Sequence, residues 1–160
     1  MKIIFLDIDG VLNSHDFFES RENKGSPMDM IDLEAVKRLQ HIVDQTGAKI
    51  VLSSTWRFNY YDKLKAFFRE NGFTFEIIDK TGRGCCDCVR GNEIRKWLKD
   101  NVKQSVSEVE KVNYCILDDD SDMLLWQKEY FINTDSQHGL TVGDALKAIS
   151  ILNSTAATYF

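Results

Sequence analysis

Two stretches of the chain crowd carboxylates together. The first is Asp7-Ile8-Asp9-Gly10, directly after the apolar run at residues 3–6. The second is Asp118-Asp119-Asp120-Ser121-Asp122, directly after the run at 114–117. Neighbouring carboxylates repel unless a cation sits among them or one stays protonated. An Asp-x-Asp pair can divide the labour, one group acting as nucleophile and metal ligand while the other trades a proton. Gly10 would allow a tight exit through a backbone angle that other residues resist. The denser cluster calls for a hard cation with oxygen ligands, and Mg2+ is the natural partner. Each motif also has a plainer reading, since Asp and Gly are common turn residues and acidic groups suit a helix N-terminus.

Hydroxyls and cations stand at comparable places. Ser53-Ser54-Thr55 follows the apolar run at 50–52, and hydroxyls with backbone N–H groups form a phosphate-sized set of donors. Arg90 opens a helical pattern from which a guanidinium could reach a phosphoryl group, and Arg57 is a second candidate for that role. His15, His41 and His138 share no metal-ligand spacing. Trp56, beside the serines, could stack a base, but its large apolar area favours a place in the core.

These groups act together only if the elements beneath them bring the ends of separate strands to one edge. Runs at 3–6, 50–52 and 114–117 have the continuous apolar form of strands buried on both faces of a parallel sheet, and weaker candidates lie at 75–78 and 130–132. Helical patterns separate them. One begins at the N-cap Asp32, repeats through Val36, Leu39, Ile42 and Val43, and stops at Gly47. A second carries Leu64, Phe67 and Phe68 and ends near Gly72; a third carries Ile94, Trp97 and Leu98. Thr141 and Asp144 form a capping box for a last helix, expected to bury Ala145, Leu146, Ile149 and Leu152. The alternation predicts an α/β fold: a single-domain, doubly wound (Rossmann-like) parallel sheet of about five strands with helices on both faces, whose ligands sit beyond the carboxyl ends of the strands. Residues 13–30, polar and holding the only proline, read as a loop or flap, and 80–88 as the other long loop.

At 160 residues, 43% hydrophobic, the chain can bury a sizeable core as one domain. Its net charge of -5 has the wrong sign for a general basic nucleic-acid surface. Asp7 interrupts the first apolar run before it reaches signal-peptide length, and no uncharged run approaches a membrane span, so a cytoplasmic protein without membrane contact is expected. Reduced thiols are expected for Cys85, Cys86, Cys88 and Cys115; the Cys85-Cys86-x-Cys88 cluster lacks the second ligand pair usual in structural zinc sites.

The ordered set Asp7-x-Asp9-Gly10-Val11-Leu12, strand-ending Ser53, Arg90 before a helix, and strand-ending Asp118-Asp119 with Asp122 resembles the four motifs of the haloacid dehalogenase-like (HAD) phosphohydrolases. More narrowly, residues 51–57, 90–94 and 116–120 are similar to HAD domains associated with RNA repair and to the phosphatase domain of phage-type polynucleotide kinases. The resemblance implies a Mg2+-dependent phosphatase. Asp7 would form an aspartyl-phosphate, and Asp9 would protonate the leaving oxygen and then activate water. The metal would be held by Asp7, the Asp9 carbonyl and Asp118, with Asp119 or Asp122 completing the shell. Ser53, or Ser54 if the strand runs one residue further, would bind the phosphoryl group with Arg90. The family more often has Lys at that third motif, so Lys80 and Lys96 stand as fallbacks. Little room is left for a cap, which within the family goes with open sites and extended substrates such as a nucleotide or a nucleic-acid end. A phosphotransferase or mutase and a non-catalytic binding module are the alternatives. A receiver-like module fits poorly, because Ser53 stands where its Asp would be. Setting the six motif aspartates aside leaves 19 acidic residues against 20 basic ones, so the acidity belongs to the site rather than to the surface at large.

Overall fold

Strand β1 (Lys2–Leu6) lies at the centre of a sheet whose order is β3-β2-β1-β4-β5, with β2 at Lys49–Leu52, β3 at Ile77–Lys80, β4 at Asn113–Asp118 and β5 at Phe131–Asn133. Every pairing is parallel. This computed structural model describes residues 1–21, 25–83, 89–102 and 112–154. The chain winds outward from β1 through α2 (Leu33–Thr46) to β2 and through α3 (Tyr61–Glu70) to β3. It then returns past β2 and β1, through α4 (Arg90–Asn101), to β4. Crossovers between parallel strands are right-handed, so reversing the direction of winding moves the connecting helix to the opposite face. The core divides accordingly. Ile4 and Leu6 of β1 pack with Val36 and Leu39 of α2, Leu64 and Phe68 of α3, and Ala145, Ala148 and Leu152 of the last helix α5 (Val142–Asn153). Ile3 and Phe5, which point the other way by the strand's period of two, pack with Ile94, Trp97 and Leu98 of α4. The expected doubly wound α/β sheet is therefore present, and its direction reverses beside β1, between β1 and β4.

The predicted caps hold. Asp32 accepts from the Glu34 N–H, Gly47 ends α2 in the left-handed conformation at φ 67°, and Thr141 and Asp144 close the capping box of α5. Three element expectations need correction. β3 begins at Ile77 rather than residue 75; the Phe75 ring packs on Phe68 at 5.1 Å, so the aromatic run belongs to the helix interface. β5 begins one residue late, because Tyr130 closes a 3-10 turn (Leu125–Tyr130) and packs on Tyr114. Leu146 is exposed, and Ala148 takes the buried place, since positions 145, 148 and 152 line one side of α5 while 146 is rotated away. Within 13–30 lie a short helix α1 (His15–Glu19) and a 3-10 turn (Pro27–Met30), each capped by a preceding serine. The Cys85-Cys86-x-Cys88 cluster falls outside the described residues. Cys115 is a buried free thiol whose pKa burial pushes up. Among the described residues no helix is long and apolar enough to cross a membrane.

Candidate active site

Strand register aligns one polar residue from each strand in a single row. Leu6 lies opposite both Leu52 and Leu117, and Leu52 opposite Lys80, so the next residues, Asp7, Ser53, Asp118 and Thr81, share one line across the carboxyl edge, continued by Asn133 opposite Asp118. Backbone bonds carry the ladder this far: Asp7 N–H donates to Leu117 O, Ser53 N–H to Leu6 O and Thr81 N–H to Leu52 O. By the alternation that sends Phe5, Val51 and Ile116 toward α4, this row turns to the same face.

The first turn of α4 closes over the row. Arg90, its first residue, donates from one nitrogen to Asp7 Oδ1 at 3.1 Å and to the Ser53 carbonyl at 2.9 Å. The same nitrogen stands 3.4 Å from Asp118 Oδ2, near enough for attraction though not aligned as a hydrogen bond. Burial works against the Arg90 charge, but Asp7, Asp118 and Asp122 outweigh it and hold the guanidinium above its ordinary pKa. α4 is fixed there by Asp122, whose carboxylate accepts the Arg90 N–H at 2.8 Å, and by Gln127, which donates to the Gly91 carbonyl. A Cβ on Gly91 would lie 2.5 Å from the Gln127 side-chain oxygen and 2.7 Å from the Leu124 nitrogen, so only glycine permits this approach.

Asp7, Asp118 and Asp119 each bring a carboxylate oxygen within 4.8 Å of the others. Asp118 is fully buried, and its Oδ2 has no hydrogen-bond partner. Burial, then the charge of Asp7, pushes Asp118 up to about 7 against the pull of Arg90. Burial and Asp7 raise Asp119 as well. Three clustered carboxylates, all oxygen donors, with one guanidinium between two of them and an orphaned oxygen, fit a hard divalent cation. The two candidates for completing a shell stand in different places. Asp119 joins the trio, whereas Asp122 is exposed and caps α4. Asp119 gets there by lying against Gly10, where a Cβ would fall 2.3 Å from the Asp119 carboxyl carbon; Gly10 also sits at φ 67°.

Asp9 is not in the trio. Its two oxygens accept from different elements: Oδ2 from the Trp56 indole N–H and Oδ1 from the Asn13 amide, each at 2.9 Å. Asn13 in turn accepts the Gly10 N–H. Trp56 is thus a core residue with a polar task, and neither it nor Asn13 was singled out for that task from sequence. The usable signal was that a buried indole N–H needs an acceptor. The serines also part company. Ser54 Oγ accepts the Trp56 N–H and caps the turn Thr55–Arg57, whereas Ser53 Oγ is fully buried and without a partner.

The alternative cations are placed elsewhere. Arg57 is buried, pairs with Glu93 at 2.7 Å and donates to the carbonyls of Ser53, Ser54 and Thr81. It braces the Ser53 loop against α4 rather than facing the carboxylates. Burial lowers its pKa, with Glu93 opposing. Lys80 donates to the Arg57 carbonyl, and Lys96 pairs with Asp100 on the exposed side of α4.

The edge therefore gathers a carboxylate held by an arginine, a cation-ready acidic trio, an unpartnered hydroxyl and a second, separately oriented carboxylate. A family model described as the HAD domain in Swiss Army Knife RNA repair proteins matches residues 3–145. No curated protein and no solved structure matches the chain.

Proposed function

The chain belongs to this family of HAD domains in RNA repair proteins, a HAD-type phosphohydrolase family, and from that premise we propose a Mg2+-assisted phosphatase acting through Asp7 on the phosphorylated end of a nucleotide or nucleic acid. One observation carries the reading. Arg90 ties Asp7 to the Ser53 loop while the Asp7, Asp118 and Asp119 carboxylates converge around an orphaned Asp118 oxygen.

When bound by Asp7, Asp118 and Asp119, Mg2+ would supply charge neutralisation for the phosphoryl oxygens. An Asp7 carboxylate oxygen attacks phosphorus, and the bond to the leaving oxygen breaks as Asp9 gives that oxygen its proton. Asp9 then takes a proton from water, whose oxygen attacks phosphorus and displaces the Asp7 carboxylate, releasing inorganic phosphate and restoring both groups. Arg90 and the otherwise unpartnered Ser53 hydroxyl would donate to the phosphoryl oxygens through both steps. Such a transfer asks chiefly for alignment and neutralised charge. Trp56 and Asn13 orient Asp9, and an acid/base there suits hydrolysis of phosphate esters rather than dehalogenation.

The test is phosphate release, with and without Mg2+, from an aryl phosphate, mononucleotides and oligonucleotides phosphorylated at either end. Activity should require Mg2+ and fall by roughly a thousandfold or more in Asp7→Asn, the scale of losing a nucleophile. Activity surviving in Asp7→Asn would remove the covalent step. Transfer to an added alcohol in preference to water would identify a phosphotransferase, and phosphate-ester binding without turnover a binding module.

A further inference from the structure

The acidic trio occupies the β1 and β4 side of the edge; the β2 and β3 side carries a run of cations set against aromatic rings. There the buried Arg57 guanidinium, which donates to the Ser53 carbonyl, lies 4.3 Å from the ring centre of Phe58. Phe58 as a residue is 42% exposed, and Arg83 also stands over its ring at 4.6 Å. The Arg57 carbonyl accepts from Lys80, whose ammonium lies 4.7 Å over Tyr61, and Lys65 approaches the same ring at 5.2 Å. Among the described residues Arg83, Lys80 and Lys65 form no ion pair. Two carboxylates stand near Tyr61: Asp79, which accepts from the Trp97 indole at 2.7 Å, and Asp62. Cations thus alternate with the exposed Phe58 and the half-buried Tyr61 from the Ser53 loop out to the surface, in a chain whose net charge is -5.

We propose that Phe58, Arg83, Tyr61 and Lys80 form a track for the single-stranded nucleic-acid segment leading to the phosphorylated end, its bases stacking on the aromatic and guanidinium planes and its backbone phosphates meeting the lysines and Arg83. The proposal rests on the phosphatase reading of the adjoining site and adds where the rest of the substrate lies. Unpaired bases are required because only they can leave their stack for a side chain, and stacking with backbone neutralisation gives sequence-tolerant, salt-dependent binding. A protein ligand of opposite charge would use the cations but leave the aromatic rings beside them unused.

Two measurements test it, one of which needs no turnover. In the first, a fluorescent, unphosphorylated oligonucleotide of roughly ten nucleotides, as RNA and as DNA, is titrated with the full chain and followed by anisotropy. Phe58→Leu combined with Arg83→Glu should weaken binding by roughly tenfold or more and flatten its salt dependence, whereas Lys147→Glu on α5 should not. Leucine is chosen so that Arg57 keeps an apolar cover. In the second, the same double variant should lose a comparable factor in kcat/KM on an end-phosphorylated oligonucleotide but remain within about twofold on an aryl phosphate. Equal losses on both substrates would show that the variant acts through Arg57 on the reaction centre, and would overturn the track. Unchanged oligonucleotide affinity, or tighter binding of a blunt duplex than of the single strand, would overturn it as well. If no substrate is turned over, the phosphatase reading falls and the anisotropy result alone decides the track.

Discussion

Asp9, the proposed acid/base, illustrates how far the placing of a carboxylate can depend on neutral groups. Its carboxylate is gripped on both oxygens, by Trp56 and by Asn13, from segments 47 and 4 residues away. Trp56→Phe keeps the aromatic packing and deletes only the N–H. It is expected to lower kcat by about tenfold or more while leaving KM on an aryl phosphate nearly unchanged, a fraction of what acid/base catalysis contributes. An unaltered kcat would show that Asn13 alone orients Asp9. The two serines give a complementary contrast. Removing a buried hydroxyl without a partner relieves a desolvation cost, so Ser53→Ala should leave urea stability unchanged or higher while activity falls. Ser54→Ala removes a cap and should cost about 0.5–2 kcal/mol. From sequence, Ser53 is the candidate for the phosphoryl group and Ser54 its alternative, because a one-residue difference in where the strand ends reverses which hydroxyl faces α4.

At the scale of elements, the turn after β1 is where conformation and chemistry are joined. Gly10 needs its left-handed angle, and Asp119, arriving from the end of β4, occupies the space a Cβ would fill. Gly10→Ala is therefore expected to destabilise the protein by about 1–3 kcal/mol in urea unfolding and to weaken the response to Mg2+ by pushing Asp119 out of the trio. Only the first half of that argument was legible in the sequence, as the permissiveness of glycine; the second depends on a residue more than a hundred positions later. The helix ends at Asp32, Gly47 and Thr141 were legible, since Asp32, Gly47 and the Thr141 and Asp144 box act on their own backbone. Leu146 and the start of β3 were not. The side chain a helix buries, and whether an aromatic run extends a strand or packs on a helix, is decided by neighbours.

For the whole molecule, the reversal of winding beside β1 places Asp7 next to Asp118 and leaves a crevice that α4 closes. Only three of the six motif aspartates cluster in that crevice, so setting them aside leaves 22 acidic residues against 20 basic ones, and part of the net charge of -5 lies on the surface at exposed positions such as Asp120 and Asp122. A cation bound only by the folded chain stabilises it by mass action, about 2.7 kcal/mol at a hundredfold excess over Kd. Mg2+ should accordingly raise Tm by roughly 5–10 °C, at about 2–4 °C per kcal/mol for a chain of this size. Chelation should reverse the rise, and Asp118→Asn should abolish the Mg2+-dependent part. A wild-type Tm indifferent to Mg2+ would reject the metal site.

What the sequence determined by itself was the inventory and its order. Continuous apolar runs specify strands buried on both faces, and the polar residue closing each run, Asp7, Ser53 or Asp118, marks the edge because the apolar run ends there, although the fold buries all three. What only the tertiary structure decided was selection within that inventory: Asp119 with the trio and Asp122 as a helix cap, Arg90 at the site and Arg57 as a brace. The physical reason is range. Burial and capping act over a few residues, whereas the contact of Arg90 with Asp7 spans 83 positions and exists only once strand register and a right-handed crossover have brought α4 over the sheet.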